Sequence, residues 1–211
     1  MKHPRSAFTL IELLVVIGII AVLASVFGLA FGRGSSGAAL QSSQATLLGL
    51  FSAARGQAAI GQNTANIVVN VSPSSEGFLR EFYVIVNGRA VGSPVTLSQG
   101  IYLLPPTTGE TFSAAISFTA PSAWLDRTST GFNNVAVPPA TTGLESGVNY
   151  RTVAGITSLG RSSPAGGGNI ILAPADRLSG QTISFNNPDA IRGVKISTYG
   201  VLTFLNSYES L

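Results

Sequence analysis

A run of nineteen residues without a charge, Leu13–Phe31, directly follows a single acid, Glu12. As a helix rising about 1.5 Å per residue, the run extends about 28 Å, close to the roughly 30 Å hydrocarbon core of a bilayer. Lys2 and Arg5 precede the run, and the next charge after it is Arg33. The run therefore predicts a membrane-spanning helix, and the positive-inside rule predicts a cytoplasmic N-terminus with the remainder of the chain exported.

Two other kinds of segment begin with basic residues and an apolar run. In a secretory signal the apolar core is shorter, usually 7 to 15 residues, and is followed by a small-residue cleavage site. Here the run is longer and Glu12 stands at its start, although 32–37 is rich in small residues. A plain signal anchor shares the hydropathy of the run, so Glu12 is the feature that distinguishes the alternatives.

Glu12 is an acid at the edge of an apolar helix. A carboxylate costs on the order of 2.5 to 3.5 kcal/mol at the bilayer centre and less near the interface, and it is commonly paired. If the chain is cut between Ala7 and Phe8, a new α-ammonium group forms at Phe8, four residues before Glu12. In an array of such helices this amine could pair with the Glu12 carboxylate of a neighbour. The alternative is that Glu12 only extends to the lipid headgroups.

The string AFTLIELLVVIGIIAVLA, residues 7–24, resembles the cleavage and methylation motif of the type IV pilins and the pseudopilins of type II secretion. The resemblance implies that prepilin peptidase cuts before Phe8, that the new N-terminus at Phe8 is methylated, and that Glu12 acts in assembly. Ala7 departs from the Gly that usually precedes the cut in this family, although Ala is also a small residue. The resemblance further implies a single-pass subunit of the bacterial inner membrane, with its head in the periplasm or in an extracellular filament.

The sequence predicts five segments and an α+β fold, in which a long N-terminal membrane-spanning helix packs on an antiparallel β-sheet head. Glycine and serine at 32–37 predict a break in the helix, which is either a flexible joint or a simple linker. Leu47, Phe51, Ala54 and Ala58 follow three- and four-residue steps, typical of a helix face packed on a core. The predicted segments are a leader (1–7), a membrane and assembly helix (8–31), the Gly/Ser segment (32–37), an amphipathic helix (38–62) that stops at Gly61, and a β-rich head (63–211).

The head has several strand-length runs of β-branched and aromatic residues. Asn87-Gly88 between two of them is a strong hairpin signal, and an antiparallel meander is expected there. The Pro-, Gly- and Ser-rich segment 120–168 predicts long surface loops. The predicted strands are 65–71, 80–86, 89–97, 101–104, 115–119, 169–173, 182–185 and 193–205, the last with a turn near Gly200.

The composition gives little support for catalysis or for a cofactor. The chain has no cysteine, its one histidine is His3 in the leader, and no glycine-rich loop has the lysine of a phosphate-binding motif. The acids Asp126, Glu145, Asp176 and Asp189 are too far apart for a calcium loop. We therefore predict a chain that is not an enzyme and has no cofactor or metal.

Nucleic acid is not predicted as a partner. The formal charge is +3, but Lys2 and Arg5 are in the leader, and without them ten basic residues face nine acidic ones, a net charge of +1. The remaining basic residues are scattered, whereas affinity for a polyanion needs clustered cations.

Two functions follow from these features. The favoured one is a structural subunit of a type IV pilus or secretion pseudopilus, whose partners are prepilin peptidase, other pilins, the membrane and, indirectly, the assembly platform and its ATPase. The alternative is a binding module for a surface or DNA that the helix merely tethers. The stretch 47–71 also resembles the H-type minor pseudopilins and FimT-like pilins; a major pilin, a G-type pseudopilin or an unassigned member are the alternatives to that subtype.

Overall fold

The computed structural model describes residues 10–106, 116–118, 129–130, 135–163, 167–178 and 182–207. It describes their side chains everywhere except at 23–35, 117–118 and 163. Within these ranges the chain forms one helix, α1 (Leu10–Gly61), followed by thirteen strands. Two compact units are distinguished, Met1–Gly37 and Ala38–Leu211, and α1 contributes to both.

The strands form three sheets, in which every pairing is antiparallel except that of β5 with β11. Sheet A has the order β3-β2-β1-β7-β6 with β8 also paired to β7, sheet B has the order β13-β12-β9-β4, and sheet C has the order β10-β11-β5. The strands are β1 (Ala65–Asn70), β2 (Glu81–Val86), β3 (Arg89–Thr96), β4 (Ile101–Leu104), β5 (Ile116–Phe118), β6 (Val135–Ala136), β7 (Tyr150–Ile156), β8 (Ser162–Ser163), β9 (Gly168–Pro174), β10 (Asp176–Arg177), β11 (Ile183–Phe185), β12 (Arg192–Ile196) and β13 (Leu202–Leu205). The α+β fold class is confirmed.

The second half of α1 packs on the head through the predicted stripe. Leu47, Phe51, Ala54 and Ala58 are all at most 1% exposed and belong to the main core. The helix ends at Gly61, as predicted, because Gln62 adopts a left-handed conformation with φ of 48° and the Asn63 amide bonds the Ala58 carbonyl at 3.2 Å. Such an end satisfies a carbonyl that the last helical turn would leave unpaired.

The predicted meander is confirmed as β1, β2 and β3, which are antiparallel neighbours in sheet A. Asn87 and Gly88 have φ values of 52° and 72° and join β2 to β3. Positive φ at both central residues is what a tight two-residue hairpin turn requires, and asparagine followed by glycine adopts it at low cost.

The prediction of loops throughout 120–168 is wrong in its second half. This segment contains β7, which lies inside sheet A between β1 and β6. From Val153 to Ile156 the strand is buried, and it pairs with β1 from Ala65 to Asn70. The strand forms because both of its edges find partners, so tertiary pairing outweighs the weak local signal.

The predicted break at 32–37 is also not observed, because α1 is helical throughout that segment. Glycine costs about 1 kcal/mol in a helix relative to alanine, a preference that strong helix formers on both sides outweigh. The boundary between the two compact units falls at the end of the same segment, between Gly37 and Ala38. In the part of the chain that the structure describes, no helical stretch has both the length and the hydropathy needed to cross a membrane.

Candidate processing and assembly site

The predicted site residues lie at the start of the chain. Ala7 and Phe8 lie outside the described residues, so the predicted cleavage and methylation site has no structural description. α1 begins at Leu10, and Glu12 lies in its first turn with an exposed side chain. An acid is favourable there because the unsatisfied amides of the first turn carry partial positive charge.

The segment of α1 that follows Glu12 is apolar on every face. All residues from Leu10 to Val22 are exposed, and the large hydrophobic side chains among them are between 46% and 82% exposed. The ten residues from Leu13 to Val22 cover nearly three helical turns without a polar side chain, so no polar face is left. A helix that is hydrophobic all round is typically buried in lipid or among other helices. This segment therefore has the surface that an assembly helix needs.

The second half of α1 has the opposite character, because its polar side chains hold it to the head. Gln44 is 1% exposed, and its Nε2 donates to the carbonyl oxygens of Gly193 at 2.6 Å and Leu205 at 2.9 Å. Arg55 donates from Nη2 to the Gly200 carbonyl, near the opposite end of the same helix segment. Together these bonds fix α1 against sheet B and the turn that joins β12 to β13.

Sequence reasoning missed Gln44, although a signal was present. Gln44 lies four residues after Leu40 and seven before Phe51, so it occupies the buried stripe of α1. A polar side chain in such a stripe needs hydrogen-bond partners inside the core. The amide group of glutamine can supply two donors, which here meet two strand carbonyls.

A tyrosine pair lies on the face of sheet A that belongs to the smaller core cluster. The rings of Tyr83 and Tyr150 meet edge to face with centroids 5.5 Å apart, and the Tyr150 hydroxyl donates to Glu81 Oε1 at 3.3 Å. Burial, followed by the charge of Glu81, raises the pKa of both phenols above their usual value near 10. Both hydroxyls therefore stay protonated at neutral pH, and that of Tyr150 acts as a hydrogen-bond donor.

Metal ligands were not predicted, and the described residues contain no group of three or more His, Cys, Asp or Glu side chains placed to hold a metal ion. Glu145 and Asp176 are both exposed, and Asp176 accepts a hydrogen bond from Asn186 Nδ2 at 2.9 Å. Asp126 lies outside the described residues.

Residues 2–28 match the family model described as the prokaryotic N-terminal methylation motif. The matched range includes the Ala7–Phe8 junction and Glu12, and it ends within the apolar run. Neither a curated protein nor a solved structure gives a significant match to the chain. The match confirms the motif predicted from the sequence. It does not extend to the head.

Proposed function

We propose that this chain, which carries the prepilin-type N-terminal motif of the type IV pilin and pseudopilin family, is a structural subunit of a type IV pilus or of a type II secretion pseudopilus. The motif match over residues 2–28 is the observation that carries the proposal. The exposed apolar surface of α1 from Leu10 to Val22 supports it, since such a surface needs other helices or lipid to cover it. The work of the chain is then mechanical rather than catalytic.

In this proposal the precursor is anchored in the bacterial inner membrane by its apolar run, with the head in the periplasm. Prepilin peptidase cuts between Ala7 and Phe8, and the new N-terminus at Phe8 is methylated. The assembly platform and its ATPase then act on the subunit indirectly, through other pilins. The finer assignment to the H-type minor pseudopilins stays a prediction.

Glu12 gives assembly its register in this proposal. Its carboxylate pairs with the Phe8 α-ammonium group of a neighbouring subunit while the apolar surfaces of the two helices pack together. An ion pair in a low-dielectric environment is favourable only when both charges are present and close, so a helix shifted along its neighbour leaves a carboxylate unpaired. The position of Glu12 in the first turn of α1 is consistent with this role.

Mass spectrometry of the intact protein and its N-terminal peptide, taken from native membranes, tests the processing step. We expect a mature chain that begins with N-methylated Phe8. An unprocessed chain beginning at Met1 would indicate a signal anchor instead, and a chain beginning after Phe31 would indicate a secreted domain.

The assembly role is tested by Glu12→Ala, with Glu12→Asp as the matched control that keeps the charge. We expect Glu12→Ala to enter the membrane as the wild type does but to be strongly depleted from sheared filaments, because the Phe8 amine loses its partner. Glu12→Asp should retain more incorporation than Glu12→Ala. Equal incorporation of Glu12→Ala and the wild type would contradict the pairing and favour a helix that is only a tether.

A further inference from the structure

Three large hydrophobic side chains of the head stand exposed on two adjacent turns. Leu159 is 82% exposed and lies in the turn between β7 and β8, while Tyr199 and Val201 are 73% and 57% exposed and lie at the turn between β12 and β13. The Ser162 amide bonds the Thr198 carbonyl at 3.2 Å, which joins the two turns. We call Leu159, Tyr199 and Val201 the apolar patch.

The backbone under the apolar patch is closely packed and hydrogen-bonded. Gly160 and Gly200 pack so closely that a Cβ at position 200 would collide with the Gly160 carbonyl oxygen, and Arg55 of α1 donates to the Gly200 carbonyl. Each turn is also closed by its own backbone bonds, Gly160 to Thr157 and Gly200 to Ser197, both at 2.8 Å. A surface that is already ordered loses little entropy on binding, so exposed apolar groups on it suit a protein interface.

A cleft of about 820 Å³ opens at a different place on the head. It is lined by Pro73, which follows β1, and by the connection between β6 and β7, where Pro138, Pro139, Leu144 and Val148 supply apolar surface. Glu145 in the lining is exposed, whereas Arg151 is half-buried. The cleft therefore combines apolar side chains with a more extensive polar lining, and it has an accessible negative charge at Glu145 and a half-buried positive charge at Arg151.

The apolar patch and the part of the cleft that Tyr150 and Arg151 line are at opposite ends of β7. The cleft includes Tyr150, the first residue of β7, whereas Leu159 lies three residues beyond Ile156, the last one. Six steps of about 3.3 Å separate these strand ends by about 20 Å. Beside the apolar patch, Arg161 is an exposed cation, so the two ends also differ in the charge that they present.

We infer that the apolar patch of one copy of this chain binds in the cleft of a second copy. Leu159 and Tyr199 would enter between the proline walls, and Arg161 would approach Glu145 at the rim. Because the two surfaces have no residue in common, the contact is heterologous and leaves a free patch and a free cleft on every pair. Such contacts continue into an open filament rather than closing into a dimer.

The direction of α1 agrees with this arrangement, which rests on the proposed filament function. Ser43 Oγ in α1 accepts a hydrogen bond from the Ser98 amide at 3.0 Å. Ser98 follows the end of β3, which pairs with the start of β2 on the Tyr150 side of sheet A. Gly61, at the other end of the helix, lies against Val86, which pairs with Ala65 at the patch end of sheet A. The head part of α1 thus runs from the cleft end to the patch end. Parallel helices in a filament would therefore place the patch of one head toward the cleft of the next.

Cysteine cross-linking in filaments tests the contact, and the chain has no native cysteine to interfere. Disulfide formation needs Cα atoms within about 7 Å, so a link between Leu159→Cys of one chain and Glu145→Cys of another reports a contact between copies. We expect the Leu159→Cys/Glu145→Cys chain to lose monomer into a ladder of linked copies on oxidation. The control, Leu159→Cys/Ser93→Cys, uses an exposed residue of β3 outside the cleft lining and should stay monomeric.

A mixture of the two single variants in the same cell sharpens the test. A heterologous contact predicts dimers in which position 159 is linked to position 145, identified by mass spectrometry of the linked peptides, and no 159-to-159 dimers. If the cysteines themselves impair assembly, reversing the two charges tests the same contact. Arg161→Glu alone should deplete the chain from filaments, and the double variant Arg161→Glu/Glu145→Arg should recover incorporation into filaments.

The outcomes separate this inference from the proposed function. Filaments that form from a correctly trimmed chain, without 159-to-145 links and without rescue by charge exchange, would overturn the contact and leave the subunit function standing. Links from position 159 to a different protein would show that the apolar patch binds that protein rather than a second copy of this chain, and would overturn the inference. A wild-type chain that is neither trimmed nor found in filaments would refute the proposed function itself.

Discussion

Gln44→Met removes the two hydrogen bonds that Gln44 Nε2 donates to sheet B, together with the longer bond, 3.5 Å, that its Oε1 accepts from Arg192 Nη1 of β12. Methionine is close to glutamine in length and helix propensity, so the change acts mainly on the bonds to the Gly193 and Leu205 carbonyls. Each such bond contributes about 0.5 to 1.5 kcal/mol net. We therefore expect the free energy of unfolding to fall by roughly 1 to 3 kcal/mol.

Urea unfolding of the full chain in a mild detergent, followed by near-ultraviolet circular dichroism, measures this change. With a slope of about 1 to 3 kcal/mol per molar urea, the expected loss moves the midpoint by roughly 1 M. Gln41→Met is the matched control, because Gln41 lies one turn earlier on the same helix with an exposed side chain. Its effect should stay within about 0.5 kcal/mol.

Equal midpoints for Gln44→Met and Gln41→Met would refute the reasoning, since the two strand carbonyls would then not depend on Gln44.

Two further predictions concern the core and the tyrosine pair. Phe51→Ala, at a fully buried position, should cost about 3 to 5 kcal/mol in the same unfolding experiment, and an effect as small as that of Gln41→Met would place Phe51 outside the core. Because the folded-state pKa of Tyr150 is raised, the folded chain holds this proton more tightly, so stability is retained below about pH 10 and lost as pH rises above it. Tyr150→Phe should flatten the decline of the urea midpoint above pH 10, and an unchanged decline would contradict the raised pKa.

The features that the sequence predicted are those with a local physical cause. The β2–β3 hairpin follows from Asn87-Gly88, whose positive φ values other residue types adopt at greater cost. The helix end was predicted at Gly61, although the residue that adopts the left-handed conformation is its neighbour Gln62, and the buried stripe of α1 follows from the spacing of its apolar residues. In each case a few neighbouring residues contain all the information that the element needs.

The features that it did not predict depend on distant partners. The sequence around β7 is typical of a loop, because Gly155 interrupts the strand and prolines and glycines precede it. The strand nevertheless pairs on one edge with β1, about eighty residues earlier in the chain. Gln44 has an identifiable position in the helix, but its acceptors are 149 and 161 residues away. The cleft exists only because the β6–β7 connection comes to lie beside Pro73, which no local pattern in either segment indicates.

α1 combines two hydrophobic patterns in one helix, and under the proposed function the first serves assembly and the second serves head stability. From Leu13 to Val22 the helix is apolar on all sides and exposed, and in the proposed filament other helices or lipid cover it. From Leu40 to Ala58 it buries one face in its own head and holds it with Gln44 and Arg55. It follows that polar substitutions in the first segment should impair incorporation into filaments while the head stays folded. Substitutions at Leu47 or Phe51 should instead unfold the head and affect filaments only through the loss of folded subunits.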